Sequence, residues 1–366
     1  MTPAGQTPRW LLSIHEDSNA NATLFRDGWP IYAVAEERLN RTKFAAGFPT
    51  LSVAACLDFA GITLDEVDLV VPGNKHHFLP RVAKNILPDD EHDYFGAQHK
   101  AWLMIQDQMS RGGALAWATE RLSTFMLRRR FPRLAPLVDH HTAHAYSAYA
   151  TSGHNEALAV TSDNMGDGWS AKVFACRDGR CEFLWGSSAI HSPGQFYGEI
   201  AQLLGFHNLM AGKVTGLAAH GDPTVAYGHM ERLFRLDDKG HSFVTPSLLT
   251  RSRRRGVYAE LRALKPADVA AAAQKRLEDV MAAWVQRACQ ETGLRHVVAA
   301  GGTFANVVVN MRILHLPEVD SFYVHPAMTD QGISMGAGFA CLAESCGSAE
   351  TARVAERNRP LDNVYL

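Results

Sequence analysis

The sequence predicts an α/β protein made of two similar lobes, and three observations carry that prediction. Short apolar runs alternate with segments of helical periodicity, the pattern of a layered fold of sheets and helices. The order of apolar run, polar loop, apolar run ending in Arg-Asp-Gly, and apolar run occurs at residues 11–35 and again at residues 157–185. The length of 366 residues suits two packed lobes better than one simple core.

In the first lobe, Leu11–Ile14 is followed by a polar loop from His15 to Asn21, then Ala22–Phe25, the turn Arg26–Asp27–Gly28, and Ile31–Ala35. An Asp-Gly pair between apolar runs predicts a hairpin, because glycine accepts positive φ in a tight turn. Thr50 is placed to cap a helix running to Phe59 with Gly61 as its stop, and Val67–Val71 reads as a buried strand. Residues 79–130 are helical in pattern, and Trp102, Met104, Met109, Trp117 and Met126 read as the packing core of an inserted subdomain or, second, as the lining of an acceptor pocket.

In the second lobe, Ala157–Ser162 precedes a polar loop from Asp163 to Gly168, then Ala171–Cys176, Arg177–Asp178–Gly179 and Cys181–Trp185. A long helix begins near Pro266 and Ala267, with Val269, Ala273, Leu277, Val280, Trp284 and Ala288 at three- and four-residue steps. Gly293 ends it, and His296–Ala300 is a strand leading into Gly301–Gly302. The division is therefore residues 1–150 for the first lobe with an insertion at about 79–130, and 151–340 for the second. Residues 341–366 form a C-terminal helix and the start of a linker. Such paired lobes look like the actin-like ATPase fold, with a nucleotide in the cleft between them.

Composition narrows the function classes. The net charge of −2 provides no general field for nucleic acid or anionic membrane, and the basic runs Arg128–Arg130 and Arg251, Arg253, Arg254 and Arg255 read as solvated faces. Cys56, Cys176, Cys181, Cys289, Cys341 and Cys346 include no CxxC pair and make no disulfide framework, so a reducing, cytoplasmic compartment is expected. No run approaches the roughly 20 apolar residues of a membrane span, and Met1–Trp10 lacks the regions of a signal peptide.

Four segments are candidates for chemistry. In Asp139–His140–His141–Thr142–Ala143–His144, His140 and His144 share a helix face as a metal site requires; His141 and His144 are a competing pair, and a polar helix start with a solvated histidine face is the alternative. Asp163, at a strand end, and Asp330, ahead of the small-residue run Ile333–Gly338, would supply carboxylates; two imidazoles with two carboxylates suit Fe(II), Zn(II) or Mn(II). Either aspartate also suits a helix cap or a turn. Gly301–Gly302, followed by Asn306 and Asn310, has the form of a phosphate cradle or of a tight strand-to-helix turn. Gly212–Ala218 offers Lys213 to an anion, or is a packed helix start.

Taken together, these strings resemble the O-carbamoyltransferase family of nodulation-factor and antibiotic biosynthesis and, more distantly, the threonylcarbamoyl-transferring tRNA-modification enzymes. The resemblance runs through Glu36–Glu37–Arg38…Arg41…Lys43, Asp139–His144, Asp163–Asp167, His191–Tyr197, Gly212–Ala218, Gly301–Gly302 with Asn306 and Asn310, and Asp330–Gly338. It implies metal ligation by His140, His144, Asp163 and Asp330, typically of iron. It also implies nucleotide contacts from Gly301, Gly302, Asn306 and Asn310, with Lys213 as a further anion contact, and Lys43 near the transferring group. His15 is the general base it suggests, although Glu16 stands where relatives carry histidine and Asn164 where they carry glycine. The implied reaction passes a carbamoyl group from carbamoyl adenylate to a hydroxyl of a small natural-product acceptor, releasing AMP. Relatives continue into a YrdC-like domain, where magnesium and ATP would be used; residues 362–366 fall about where it would begin, and a homodimer is compatible with this reading. Two rival functions share the fold: an ATPase or sugar kinase, and a non-catalytic nucleotide-binding partner of a separate activating subunit.

Overall fold

The computed structural model describes residues 8–76, 93–207, 210–252, 254–345 and 358–361. The first sheet comprises β1 (Trp10–His15), β2 (Asn21–Arg26), β3 (Trp29–Ala35) and β4 (Leu69–Pro72), in the order β3-β2-β1-β4. β2 runs antiparallel to both neighbours, and β4 runs parallel to β1. Between β3 and β4 lie α1 (Glu36–Asn40) and α2 (Thr50–Ala60). The helices α3 (Ala97–Ser110) and α4 (Ala114–Arg130) follow, then a bridge of Leu134 parallel to Val70 and the helix α5 (His140–Tyr149).

The second sheet takes β5 (Glu156–Gly166), β6 (Trp169–Arg177) and β7 (Arg180–Ser188) as an antiparallel meander. α6 (Pro193–Leu203), α7 (Gly212–Ala218), α8 (Tyr227–Leu233), the short ribbon β8 (Arg235–Leu236) with β9 (Phe243–Val244), and α9 (Gly256–Leu261) follow. The 27-residue α10 (Pro266–Thr292) leads to β10 (His296–Ala300), α11 (Val307–Leu314), β11 (Ser321–Val324) and α12 (Ile333–Ser345). The sheet order is β11-β10-β5-β6-β7, so the meander with parallel strands added beside its first member occurs in both sheets.

Strand alternation sends side chains to two cores. Leu158, Val160, Val173 and Val297 pack under α10 with Leu277, Trp284 and Val285, while Ala157, Ala159, Phe174 and Val298 face α5 and α12. Leu11, Phe25 and Val71 of the first sheet join that second cluster, so α5 and α12 lie between the two sheets. They approach closely because Gly336 has no Cβ; one there would strike the Ala143 carbonyl.

The tight turns follow the sequence chemistry. Asp27–Gly28 and Asp178–Gly179 both have positive φ at both positions, as a two-residue type I′ hairpin requires. A third such turn, Asp167–Gly168, lies inside the segment expected to be a polar loop: β5 continues to Gly166, and only residues 163–165 bulge from the ladder. Gly61 and Gly293 end α2 and α10 in the left-handed region.

Several expectations are corrected. Thr50 does not cap α2; Pro49 holds the cap position, and the buried carboxylate of Glu36 accepts the Leu51 amide (3.0 Å), the Ser52 amide (2.8 Å) and the Ser52 hydroxyl (2.8 Å). Met109 is buried, but Met104, Trp117 and Met126 are exposed, because α3 and α4 form a thin layer with one covered face. Arg251 is not a solvated member of a basic run: it is 1% exposed and paired at 2.9 Å with buried Glu199. Cys176 and Cys181 form a disulfide, because the Asp178–Gly179 turn sets them directly opposite one another on β6 and β7. No helix among the described residues is long and apolar enough to cross a membrane. Residues 79–92 of the expected insertion lie outside the described residues.

Replacing Glu36 with alanine leaves the start of α2 with buried unpaired amides. Urea denaturation of Glu36→Ala is expected to show a loss of about 1–3 kcal/mol; an unchanged midpoint would mean that solvent replaces the carboxylate.

Candidate functional site

Asp139 begins the site by capping α5: its Oδ1 accepts the Thr142 amide at 2.9 Å and the Lys172 ammonium at 2.8 Å. Burial would raise its pKa, but Lys172 and the capped helix hold the carboxyl well below its ordinary range. With the helix start fixed, His140 and His144 lie one turn apart with ring centroids separated by 4.8 Å. His141 turns away; its Nδ1 pairs with the Thr161 hydroxyl (2.9 Å) and its Nε2 donates to the Trp169 carbonyl (3.1 Å). Of the two histidine pairs, the structure brings His140 and His144 together and turns His141 to other partners.

Asp163 on the β5 bulge and Asp330, after β11, converge on these imidazoles, with candidate ligand atoms of all four within 4.8 Å of one another. His144 Nε2 lies 3.3 Å from Asp163 Oδ2 and 3.5 Å from Asp330 Oδ1, and His140 Nε2 lies 3.5 Å from the same Asp330 oxygen. Ligands about 2.1 Å from a tetrahedral ion stand about 3.4 Å apart, so the spacing matches the edges of a coordination shell. His140 Nε2, His144 Nε2 and Asp330 Oδ1 are buried without a hydrogen-bond partner, which a central cation would relieve. Burial alone would lower the His140 imidazole, yet Asp330, Asp163 and Asp167 raise it to about 9. The donor set of two nitrogens and two carboxylates fits a divalent transition ion.

Supporting groups orient these side chains. Asn74 Oδ1 accepts from His140 Nδ1 at 2.9 Å, so that Nε2 is the ring nitrogen that faces the cluster. Asp167 accepts the His140 amide (2.8 Å) together with the Lys75 and His76 amides, joining the β4 loop to α5. Asn21 Nδ2 donates to the Asp330 carbonyl (2.8 Å), and its Oδ1 accepts the Ser334 amide (3.2 Å). Gly166 leaves room for the His140 ring, which a Cβ would overlap.

His15, at the end of β1, is wholly buried with its ring centroid 6.0 Å from that of His140. The Ser18 carbonyl can only accept, so Nε2 (3.1 Å away) carries the proton and Nδ1 keeps an unpartnered lone pair. Burial lowers its pKa against the pull of Asp330, which keeps the ring neutral at pH 7.

Comparison with known proteins now bears on this arrangement. Residues 12–341 match the model of the carbamoyltransferase N-terminus family. The chain belongs to this family. It is similar to the nodulation protein NolNO of Sinorhizobium fredii, at 28% identity over 362 residues, covering 94% of this chain and 51% of that protein. It is also similar to a tRNA N6-adenosine threonylcarbamoyltransferase of Fervidobacterium nodosum, at 24% identity over 58% of this chain and 63% of that one. Among solved structures, full-length HypF in its phosphate- and nucleotide-bound form aligns with a TM-score of 0.56 at 12% identity, over 94% of this chain and 58% of that chain. That likeness is one of fold, an actin-like α/β fold. The chain spans about half the length of the curated relatives it matches first.

The remaining residues that the family resemblance singled out fall into two groups. Gly301 (φ 110°) approaches the Ser162 backbone, where a Cβ would collide, and the Gly302 amide donates to Asp163 Oδ2 at 3.2 Å. In this structure the glycine turn thus orients a candidate ligand. Asn306 caps α11 through the Val309 amide and exchanges hydrogen bonds with Gln274, while Asn310 Nδ2 donates to the Phe304 carbonyl. Lys213 and Lys43 are exposed, beside the rings of Phe206 and Phe44, and neither is among the converging residues. Glu37 ties the Lys43 loop to the site: it accepts the Phe44 amide (2.9 Å) and the Gln331 side chain (3.1 Å). The sequence reading missed Asn74, Asn21 and the part played by Asp167, and no local pattern marks the two asparagines.

Asn74→Ala frees the His140 ring to rotate. Titration with Zn(II) or Fe(II) is expected to show an affinity about 10–100-fold weaker; an affinity equal to wild type would mean that His140 needs no such partner.

Proposed function

We propose that the chain is the transfer half of an O-carbamoyltransferase, moving a carbamoyl group from carbamoyl adenylate to an acceptor hydroxyl with release of AMP. The observation that carries this reading is the buried convergence of His140, His144, Asp163 and Asp330 in a chain matched to the carbamoyltransferase N-terminus family. The duplicated actin-like lobes, with a nucleotide between them, belong to the same proposal. The two sheets share their meander, while the Gly301 and Gly302 amides are taken up by the Met328 carbonyl and Asp163. Sugar kinases usually hold magnesium through phosphates and carboxylates; a site of two imidazoles fits that rival poorly.

A divalent ion held by His140, His144, Asp163 and Asp330 would offset negative charge on the departing phosphate; Fe(II), Zn(II) and Mn(II) all suit this donor set. His15 is the base in this reading. Its Nδ1 lone pair is free, its Nε2 proton is fixed on Ser18, and burial keeps it neutral and ready to accept the acceptor's proton. Asn74 and Gly302 keep His140 and Asp163 in register so that phosphate and acceptor meet in one orientation.

Elemental analysis of purified wild type is expected to find near-stoichiometric iron or zinc, lost in His144→Ala and Asp330→Ala; a metal-free wild type prepared without chelator would remove the ion from the mechanism. With carbamoyl adenylate supplied, His15→Ala is expected to slow transfer about 10²–10⁴-fold while nucleotide affinity stays near that of wild type. Unchanged turnover would exclude His15 as the base.

A further inference from the structure

α4 turns much of its apolar surface to solvent. Apart from Leu127, the side chains it buries are Thr119 and Ser123, and the Thr119 hydroxyl pairs with His76 Nδ1 at 2.7 Å. The His76 amide donates to Asp167, which also accepts the His140 amide, so the helix is fixed from its polar side and is not free to roll. The opposite side carries Leu115, Trp117, Leu122, Phe125 and Met126, all exposed, with Trp117 at 63% and Phe125 at 61%. Leu115, Ala118, Leu122 and Phe125 recur at three- and four-residue steps and so form one continuous seam. A helix on a globular protein ordinarily buries its apolar stripe, and a stripe left outside along a whole helix marks a surface that something covers.

Charge decides what covers it. α4 holds Arg121, Arg128, Arg129 and Arg130 against a single acid, Glu120, in a chain whose net charge is −2. The Arg121 guanidinium lies 5.5 Å from the centroid of the Trp117 ring, and that of Arg129 lies 5.9 Å from the Phe125 ring. Among the described residues no carboxylate pairs with Arg121, Arg128 or Arg129. Arg121 and Arg128 are seven positions apart and line one flank of the seam. Two copies joined through this face would set arginine against arginine, which opposes association. The cover is instead negative along the helix, a length of about 25 Å, and apolar beneath. An anionic bilayer has that layering: phosphates at its surface and acyl chains below. Aromatic rings suit the boundary between the two layers, and arginine stems let the charged heads reach back to the phosphates. With 17 residues and four arginines, α4 is too short and too charged to cross a bilayer, and it fits one lying in the interface plane.

We propose that this face of α4 is a peripheral docking surface for anionic phospholipid bilayers. Trp117, Leu122 and Phe125 enter the boundary between headgroups and acyl chains, and Arg121, Arg128 and Arg129 meet lipid phosphates. The surface is independent of the transferase reading, since none of these residues belongs to the candidate metal site.

Co-sedimentation of the purified chain with vesicles of equal parts phosphatidylglycerol and phosphatidylcholine tests this, with phosphatidylcholine vesicles as the control. Wild type is expected to bind the anionic vesicles, to be released as salt rises, and to ignore the control. Each arginine near an anionic surface strengthens binding about fivefold, so the triple variant Arg121→Gln, Arg128→Gln, Arg129→Gln is expected to bind about 100-fold more weakly. Phe125→Ser is expected to weaken binding about tenfold through lost apolar burial. Anionic vesicles are expected to shift tryptophan emission to the blue in wild type and not in Trp117→Phe. All the substituted side chains are exposed, and unchanged circular dichroism is expected to show that the fold is kept. Wild type left in the supernatant at low salt, equal binding to both vesicle types, or variants that bind like wild type would each overturn the proposal. A wild-type dimer that Phe125→Ser splits, seen by sedimentation equilibrium without any vesicle binding, would overturn it too and give the face to a second copy.

Discussion

Gathering two carboxylates and two imidazoles within a few ångströms, out of water, is the constraint on which the rest of this structure depends. Two like charges in a low-dielectric site repel, and each group loses its hydration there. The protein holds them by fixing backbone first. Asp139 anchors α5, Asp167 gathers three amides around its start, and Asn21 grips the peptide of Asp330. Close approaches follow at positions without a Cβ: Gly166 beneath His140, Gly301 against Ser162, and Gly336 against Ala143. A methyl group at any of these would push a ligand-bearing segment away from the others.

Much of the scaffold was legible in the sequence because its signals are local. An Asp-Gly pair between apolar runs specifies a turn whatever surrounds it, and Gly293 ends α10 for reasons internal to the helix. His140 and His144 were legible as a pair sharing a helix face. The choice between His140 and His141 was not, since it depends on where Thr161 and Trp169 lie across the neighbouring sheet. The capping of α2 by Glu36, from fourteen residues upstream of Thr50, was hidden for the same reason.

Burial of charge was the least legible property. Arg251 belongs by sequence to a basic run and by structure to the interior, where Glu199, the Ile190 and Pro246 carbonyls and Thr245 surround it. The opposite holds for α3 and α4, whose large apolar residues looked like core and are in part surface. Composition cannot say which side of a thin layer is covered. Family membership does not supply that information either, because it concerns the fold and the motifs rather than each face.

The four converging residues also bear on how the chain reaches its native state. His140 and Asp330 are 190 positions apart, and the peptide around Asp330 is held by Asn21 from the opposite end of the sequence. Such pairings close very long loops and form only after the local hairpins and helices exist. Loop closure therefore predicts that the cluster assembles late in folding. An ion arriving early would meet isolated fragments, such as the α5 histidines alone, and could hold them apart from their partners. Binding before assembly would act as a trap, whereas binding after it would tie α5 to the second sheet.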